Sequence, residues 1–396
     1  MRKTVTFLLI LILMMIPAVI FAEKGKETEE EYDWEANLKK SLAVDTSGLK
    51  ATDNMPLLAY TPTREVPPRP ENPKDLSETE SGHWWDIEYA GYKTVKEKMP
   101  PRPRDGSWGK FIILLQPGQH AYWTAYINGM NKIAEAYNLK TKIYNANWSI
   151  DQQVLQVDQA INDKPDLILL GPADQPGSVQ MCKKIWQAGI PLITTNIATS
   201  DAGMKYVITH VGPEDWEMYR KSARIAADMV GKKGGYAVLQ SIPGSACFYS
   251  RMWGPVCEFT EYAPEMKLLA ADASSCQTEP AFQLTSNWLS QFGDELKVIV
   301  APDAGPSITG ALNALAQVGR NGEVILCCGG HCKVSLDALK VGDMHYLLEQ
   351  SSEGDGACSM QAAMDWMNGK ELRPWIAIRH NLITKENVNN YYPTQW

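Results

Sequence analysis

From Lys110 onward the chain alternates short apolar runs with amphipathic segments, and no other feature narrows its fold as much. The runs are KFIILL at Lys110, KTKIYNA at Lys140, DLILLG at Asp166, PLITTN at Pro191 and YVITHV at Tyr206. Then come YAVLQS at Tyr236, MKLLAA at Met266, LKVIVAPD at Leu296, EVILCCG at Glu323 and MHYLLEQ at Met344. Each is about six residues long and mostly apolar and β-branched, as strands are when helices cover both faces of a parallel sheet. Helical periodicity fills most of the gaps: Tyr126, Met130, Ile133 and Tyr137 recur at spacings of three and four and define one buried stripe. The expected class is therefore α/β and doubly wound. Ten strands are many for one open sheet. The strand pair from Thr194 to Val211 has no helical pattern between its members, which marks a crossing between lobes. Two doubly wound parallel-sheet lobes joined by a multi-strand hinge are expected.

The ends of the chain differ in composition. Arg2 and Lys3 precede an apolar run from Val5 to Ala22, followed abruptly by Glu23-Lys24-Gly25-Lys26, the layout of a secretory signal cleaved after Ala22. Ile20 is larger than the residue usual near such a cut, so an uncleaved membrane anchor stays open as the other reading. Residues 23–108 are rich in charge and proline (EKGKETEEEYDWE, VPPRPENP, MPPRPRDG), which favours extended chain with no core of its own, a poorly structured extension. Within it, HWWDIEYAGY (His83–Tyr92) is aromatic enough to pack on the main body or on a partner. The expected division is 1–22 signal, 23–108 extension, 109–212 with 351–371 first lobe, 213–350 with 372–385 second lobe, and 386–396 tail.

A net charge of −8 repels phosphates, which argues against nucleic acid as a partner. All eight cysteines lie at or beyond Cys182, and after export some could pair, while buried free thiols are an equally ordinary reading. CCGGHC (Cys327–Cys332) holds metal-ligand residue types and is the basis for a metal-dependent secreted enzyme as a rival reading. Zinc sites normally split their ligands into spaced pairs, and adjacent Cys327 and Cys328 on a strand would face opposite ways. G-x-S-x-G, G-x-x-x-x-G-K and H-E-x-x-H do not occur, so no enzyme activity, cofactor or metal is expected.

In open parallel sheets, ligands bind beyond the carboxyl ends of the strands. The residues there are Gln119, His120, Tyr122 and Trp123, then Asp174, Asn196, Ser245 and Arg251, then Asp303, Cys328, His331 and Gln350. Flat aromatic faces combined with amide, carboxylate and guanidinium groups suit a polyhydroxylated molecule, with rings covering C–H faces and polar groups pairing hydroxyls. The same pattern allows Tyr122 and Trp123 to be core residues, and Arg251 to be part of a surface ion pair.

Lys110 to Ile378 resembles the type I periplasmic solute-binding proteins of ABC transporters, in the ribose- and galactose-binding group. The resemblance is carried by His120-Ala121-Tyr122-Trp123 with Gly129, by KPDLILLGPADQPGSVQMCKKIWQAGIPLITTN (Lys164–Asn196), by Arg251-Met252-Trp253-Gly254-Pro255 and by Gln350. It implies ligand contacts at His120, Tyr122, Trp123, Asn196, Arg251 and Gln350, with Asp303 near another. Asn196-Ile197 replaces the family's Asp-Arg, Cys327-Cys328 replaces a Phe-Asp, and Ala301–Ala304 is similar to rhamnose- and autoinducer-binding members. The implied ligand is a sugar, deoxysugar or polyol. The implied role is the extracytoplasmic binding component of an importer, a monomer that presents its closed form to a membrane permease. A ligand sensor of the same fold coupled to a membrane receptor is the alternative.

Overall fold

The computed structural model describes residues 32–62 and 64–396, and Trp34–Trp396 form one unit. The expected signal segment lies outside the described residues. The helices are α1 (Trp34–Ala43), α2 (Trp85–Glu88), α3 (Ala121–Ala136), α4 (Ile150–Asn162), α5 (Gln175–Gln187) and α6 (Asp201–Met204). They continue as α7 (Asp215–Met229), α8 (Ala246–Tyr262), α9 (Thr278–Phe292), α10 (Pro306–Gln317), α11 (Lys333–Val341) and α12 (Ser352–Met367).

Two parallel sheets carry the core. The first contains β1 (Phe111–Gln116), β2 (Lys140–Asn145), β3 (Leu167–Leu170), β4 (Leu192–Thr195) and β5 (His210–Gly212). The second contains β6 (Lys233–Gln240), β7 (Glu265–Ala273), β8 (Leu296–Val300) and β9 (Ile325–Cys327). The short strands β10 (Leu347–Leu348), β11 (Trp375–Ala377) and β12 (Leu382–Ile383) follow. Strand order is β11-β5-β4-β3-β1-β2 in the first sheet and β7-β6-β8-β9 in the second, while β10 and β12 form a small antiparallel pair. Both sheets start from a strand whose successor lies on one side and whose later neighbours lie on the other, which creates a crevice at the carboxyl ends.

Strand β1 shows why these apolar runs are strands. Ile112 and Leu114 enter the core on one face of the sheet, and Ile113 and Leu115 enter the core on the other. Such fully buried aliphatic side chains stabilise by roughly 1.5–3 kcal/mol each. The stripe expected on α3 is seated as predicted, with Tyr126, Met130, Ile133 and Tyr137 all in the first of these cores. Helix α12 crosses α3 at backbone contact. A Cβ on Gly129 would lie 1.8 Å from the Glu353 carbonyl oxygen, and one on Gly356 would lie 1.9 Å from that of Tyr126.

Three segments run shorter or differently than the sequence suggests. YVITHV yields only the first two residues of β5, and the one-turn α6 lies between β4 and β5, where no helix was expected. MHYLLEQ contributes two residues, β10, paired with β12. Residues 372–385 divide between bodies: β11 joins the first sheet beside β5, and β12 pairs with β10. The chain thus passes between the bodies after β5, after β10 and again between β11 and β12.

The described residues of the extension are sparse in regular structure and form no core of their own, yet they are fastened at many points. Helix α1 is held at Asn37, which donates to the Asp105 and Trp108 carbonyls at 3.2 Å, and at Ser41, which accepts from the Trp108 amide at 2.8 Å. Leu57 is fully buried in the first-sheet core. The aromatic stretch reaches the second body, where Trp84 stacks on Trp253 of α8 at 4.9 Å. It then returns to the first body, where Tyr92 stacks on Trp375 at 5.7 Å and the Lys98 carbonyl accepts from the Trp186 indole at 2.9 Å. Glu88, buried, is held between Arg64 at 2.6 Å and Arg220 of α7 at 2.8 Å.

All eight cysteines are free, and seven are buried. Cys327 packs in the core on one face of the second sheet and Cys328 in the core on the other. Cys332 caps α11. Among the described residues no three His, Cys, Asp or Glu side chains form a metal-holding group.

Candidate functional site: a cavity at the facing strand ends

A cavity of about 410 Å³ lies between the carboxyl ends of the two sheets. The rim of the first body touches the second there: the Gln175 amide donates to the Gly244 carbonyl at 3.1 Å. His120, Trp148 and Asn196 follow β1, β2 and β4; Ser241, Cys276 and Asp303 follow β6, β7 and β8; Gln350 follows β10. All seven expected ligand residues, His120, Tyr122, Trp123, Asn196, Arg251, Asp303 and Gln350, line this one cavity. Gln119 and Ser245 line it too, whereas Asp174, Cys328 and His331 do not.

On the first-sheet side the polar groups converge on one hydroxyl. Tyr122 Oη donates to Asp355 Oδ2 at 2.8 Å and accepts from Gln350 Nε2 at 3.1 Å and Asn196 Nδ2 at 3.3 Å. Asn196, held at a positive φ of 59°, also donates to Asp355 Oδ2 at 2.6 Å. Asp355 is fully buried, and its Oδ1 has no hydrogen-bond partner. Burial pushes this carboxyl up to about 7, against the hydrogen bonds from Asn196 and Tyr122. His120 caps α3, its Nδ1 accepting from the Tyr122 amide at 3.1 Å, so the neutral ring carries its proton on Nε2. Burial lowers its proton affinity, with Arg251 pushing the same way.

On the second-sheet side the charge is fixed. Arg251, on α8, donates through Nη2 to both oxygens of Asp215 at 3.0 and 3.3 Å and through Nη1 to the Pro302 carbonyl. Burial disfavours the cation, but the Asp215 carboxylate outweighs it and holds the guanidinium well above its ordinary range. Arg251 Nε is buried and unpartnered. Asp303 is largely committed to the start of α10: its Oδ1 accepts from the amides of Gly305 at 2.9 Å and Ser307 at 3.1 Å, and its Oδ2 from the Ser307 hydroxyl at 2.5 Å. It lines the cavity with most of its acceptor capacity already used within the chain.

The aromatic wall also differs from expectation. Trp123, only 2% exposed, belongs to the first-sheet core and borders the cavity from within it. Two further rings line the cavity, Trp148 and Trp396, neither of them anticipated, and Trp396 stands edge-on to Tyr122. Trp148 has a φ of 61°, costly for a bulky residue, and Gly118 makes room for it, since a Cβ there would lie 2.3 Å from the indole. Its pairing with Asn147, also left-handed, was the available signal: Asn tolerates that conformation, and the pair follows a strand directly. Trp396 belongs to what was expected to be a tail.

A profile of the periplasmic binding protein domain matches residues 111–371. The xylitol-binding protein of Mycolicibacterium smegmatis is 28% identical over 261 residues, which cover 66% of this chain and 73% of that one. The ribose import binding protein of Bacillus subtilis is 22% identical over 268 residues, covering 67% of this chain and 84% of its own. An ABC transporter solute-binding protein from Bacillus halodurans, solved with bound myo-inositol, superposes with a TM-score of 0.67 at 24% identity over 73% of this chain and 99% of that one, which shows a shared fold. The aligned sheets, their order and the profile match together establish that the chain belongs to the periplasmic binding protein domain family, a family of solute-binding proteins and not of enzymes.

Proposed function

We propose that this chain is the extracytoplasmic solute-binding component of an ABC importer and that it takes a neutral sugar or polyol between its two bodies. The supporting observation is the charge balance of the cavity. Its cation, Arg251, is already paired with Asp215, its carboxylate, Asp303, is committed to a helix cap, and His120 is neutral. A charged ligand would find no unpaired counter-charge in a mostly buried site, because Arg251 and Asp303 already have their partners, whereas an uncharged polyhydroxylated one uses the free donors and acceptors without that cost. The relatives named for xylitol and ribose, and the neighbour that holds myo-inositol, are in keeping with this chemistry.

Binding proceeds by closure of the two bodies, which removes water and so strengthens each hydrogen bond to the ligand. Arg251 and the Tyr122–Asn196–Gln350 group pair hydroxyls from opposite sides, and the rings of Tyr122, Trp148 and Trp396 cover C–H faces. The closed form is what a membrane permease reads, and the protein acts as an exported monomer. The test is thermal melting and titration calorimetry against myo-inositol, xylitol, D-ribose, D-allose and D-fructose. One neutral probe at a hundred times its Kd adds about 2.7 kcal/mol of stability. Failure of every neutral probe alongside binding of a charged metabolite would overturn the reading.

A further inference from the structure

The last residues of the chain are built into the cavity with more care than a tail needs. Gln395 is held on both faces: its Nε2 donates to Asp53 Oδ2 of the extension at 2.9 Å, and its Oε1 accepts from the Glu353 amide at the start of α12 at 3.0 Å. The Trp396 carbonyl accepts from the Lys333 amide at 3.0 Å. Between these anchors the indole stands edge-on to His120 at 5.3 Å and to Tyr122 at 6.1 Å. A Cβ on Gly305 would lie 2.7 Å from the indole, so position 305 must stay bare for the ring to fit.

The indole also carries an unpaid debt. Its Nε1 is buried with no hydrogen-bond partner, although Trp396 lines the cavity. An indole N–H is a donor only, and a buried Trp normally finds it an acceptor. A ligand oxygen in the cavity would supply one.

We propose that Trp396 is a ligand-contacting residue, its ring closing the cavity over a polyhydroxylated molecule and its indole N–H donating to a ligand oxygen. This rests on the binding function proposed above. The cavity volume of about 410 Å³ is near the lower end of the roughly 300–1,000 Å³ common for small-molecule sites, so it suits a single ring or a short chain. A larger ligand would have to dislodge the indole and strip Gln395 of its partners.

The test uses the full chain with myo-inositol, xylitol, D-ribose, D-allose and D-fructose as probes in titration calorimetry, with melting of the unliganded protein measured in parallel. Trp396→Phe keeps a ring and removes the N–H. It should bind the probe that wild type prefers roughly 2- to 10-fold more weakly, as loss of one hydrogen bond implies. Without ligand it should melt at or only slightly below wild type, because the N–H removed has no partner there and the only loss is the ring edge packed against Gly305. Trp396→Ala should weaken the same probe more than tenfold. Gln395→Ala, outside the cavity, should weaken it by less than Trp396→Ala. Wild-type affinity in Trp396→Phe overturns the proposal, as does a lower unliganded melting temperature with affinity unchanged. If wild type binds none of these probes and takes a charged metabolite instead, the binding function falls and this contact falls with it, an outcome distinct from a wild type that binds and variants that match it.

Discussion

The two sides of the cavity solve the same problem differently. The second-sheet side is a finished ion pair: Arg251 and Asp215 satisfy one another before any ligand arrives. The first-sheet side is a hydrogen-bond hub around Tyr122 Oη, whose acceptor, Asp355, is a buried carboxyl that titrates near neutral pH. One side holds its geometry by charge. The other holds it by shared protons and by the close crossing of α3 and α12, which carry Tyr122 and Asp355. The difference implies that the ion pair resists pH change while the hub responds to it.

Removing the fixed charge should have the largest effect. Arg251→Ala leaves Asp215 buried without its partner, at a cost of about 3–5 kcal/mol, and should weaken ligand binding roughly tenfold or more. Chemical denaturation and calorimetry measure the two effects, and unchanged affinity for the ligand would remove Arg251 from the site. Gly356→Ala attacks the other side through its scaffold. The added methyl would press on the Tyr126 carbonyl, and forcing α12 off α3 should cost about 1–3 kcal/mol or more, read as a lower melting temperature together with weaker binding. A variant that melts and binds like wild type would show that the crossing does not position Tyr122.

Tyr122→Phe is narrower. It takes one donor from Asp355 and the acceptor from Gln350 Nε2, a loss of roughly 1–3 kcal/mol in denaturation experiments. It should also drive the Asp355 carboxyl further upward, because the hydrogen bond from Tyr122 is one of the influences holding it down.

Asp355→Asn should have the smallest effect, visible only against pH. In the folded protein Asp355 keeps its proton up to about 7, whereas an unfolded Asp releases it near 3.8. Folding therefore takes up a proton between those values. The associated stability is complete below the lower value and is lost as pH rises through the upper one. Glu214, also pushed by burial to about 7, contributes in the same direction. Asp355→Asn should flatten the fall in stability between about pH 4 and pH 7 by about one proton and leave the Glu214 share. A slope equal to that of wild type would mean that Asp355 ionises normally.

The strand-end rule found Tyr122, Asn196, Arg251 and Gln350 because each lies just after a strand or in the first two turns of the helix that follows, a relation visible along the chain. It missed Asp355 because an acidic residue in the first turn of α12 looks like an ordinary helix-start carboxylate, and only the crossing with α3 buries it. It missed Trp396 because that residue follows no strand: the tail is brought to the cavity by Gln395 reaching Asp53, two residues at opposite ends of the sequence. The extension shows the same limit. Its prolines point to extended chain, but the surface that buries Leu57 and Trp84 belongs to elements elsewhere in the chain, and local composition carries no trace of it.

The most direct measurement is a crystal structure of the protein with the neutral polyol that gives the strongest calorimetric response. One molecule should lie between the carboxyl ends of the two sheets, with oxygens within hydrogen-bond distance of Arg251 and of the Tyr122–Asn196 group. A polyol bound elsewhere, with this cavity filled by side chains or by a charged species, would contradict the account.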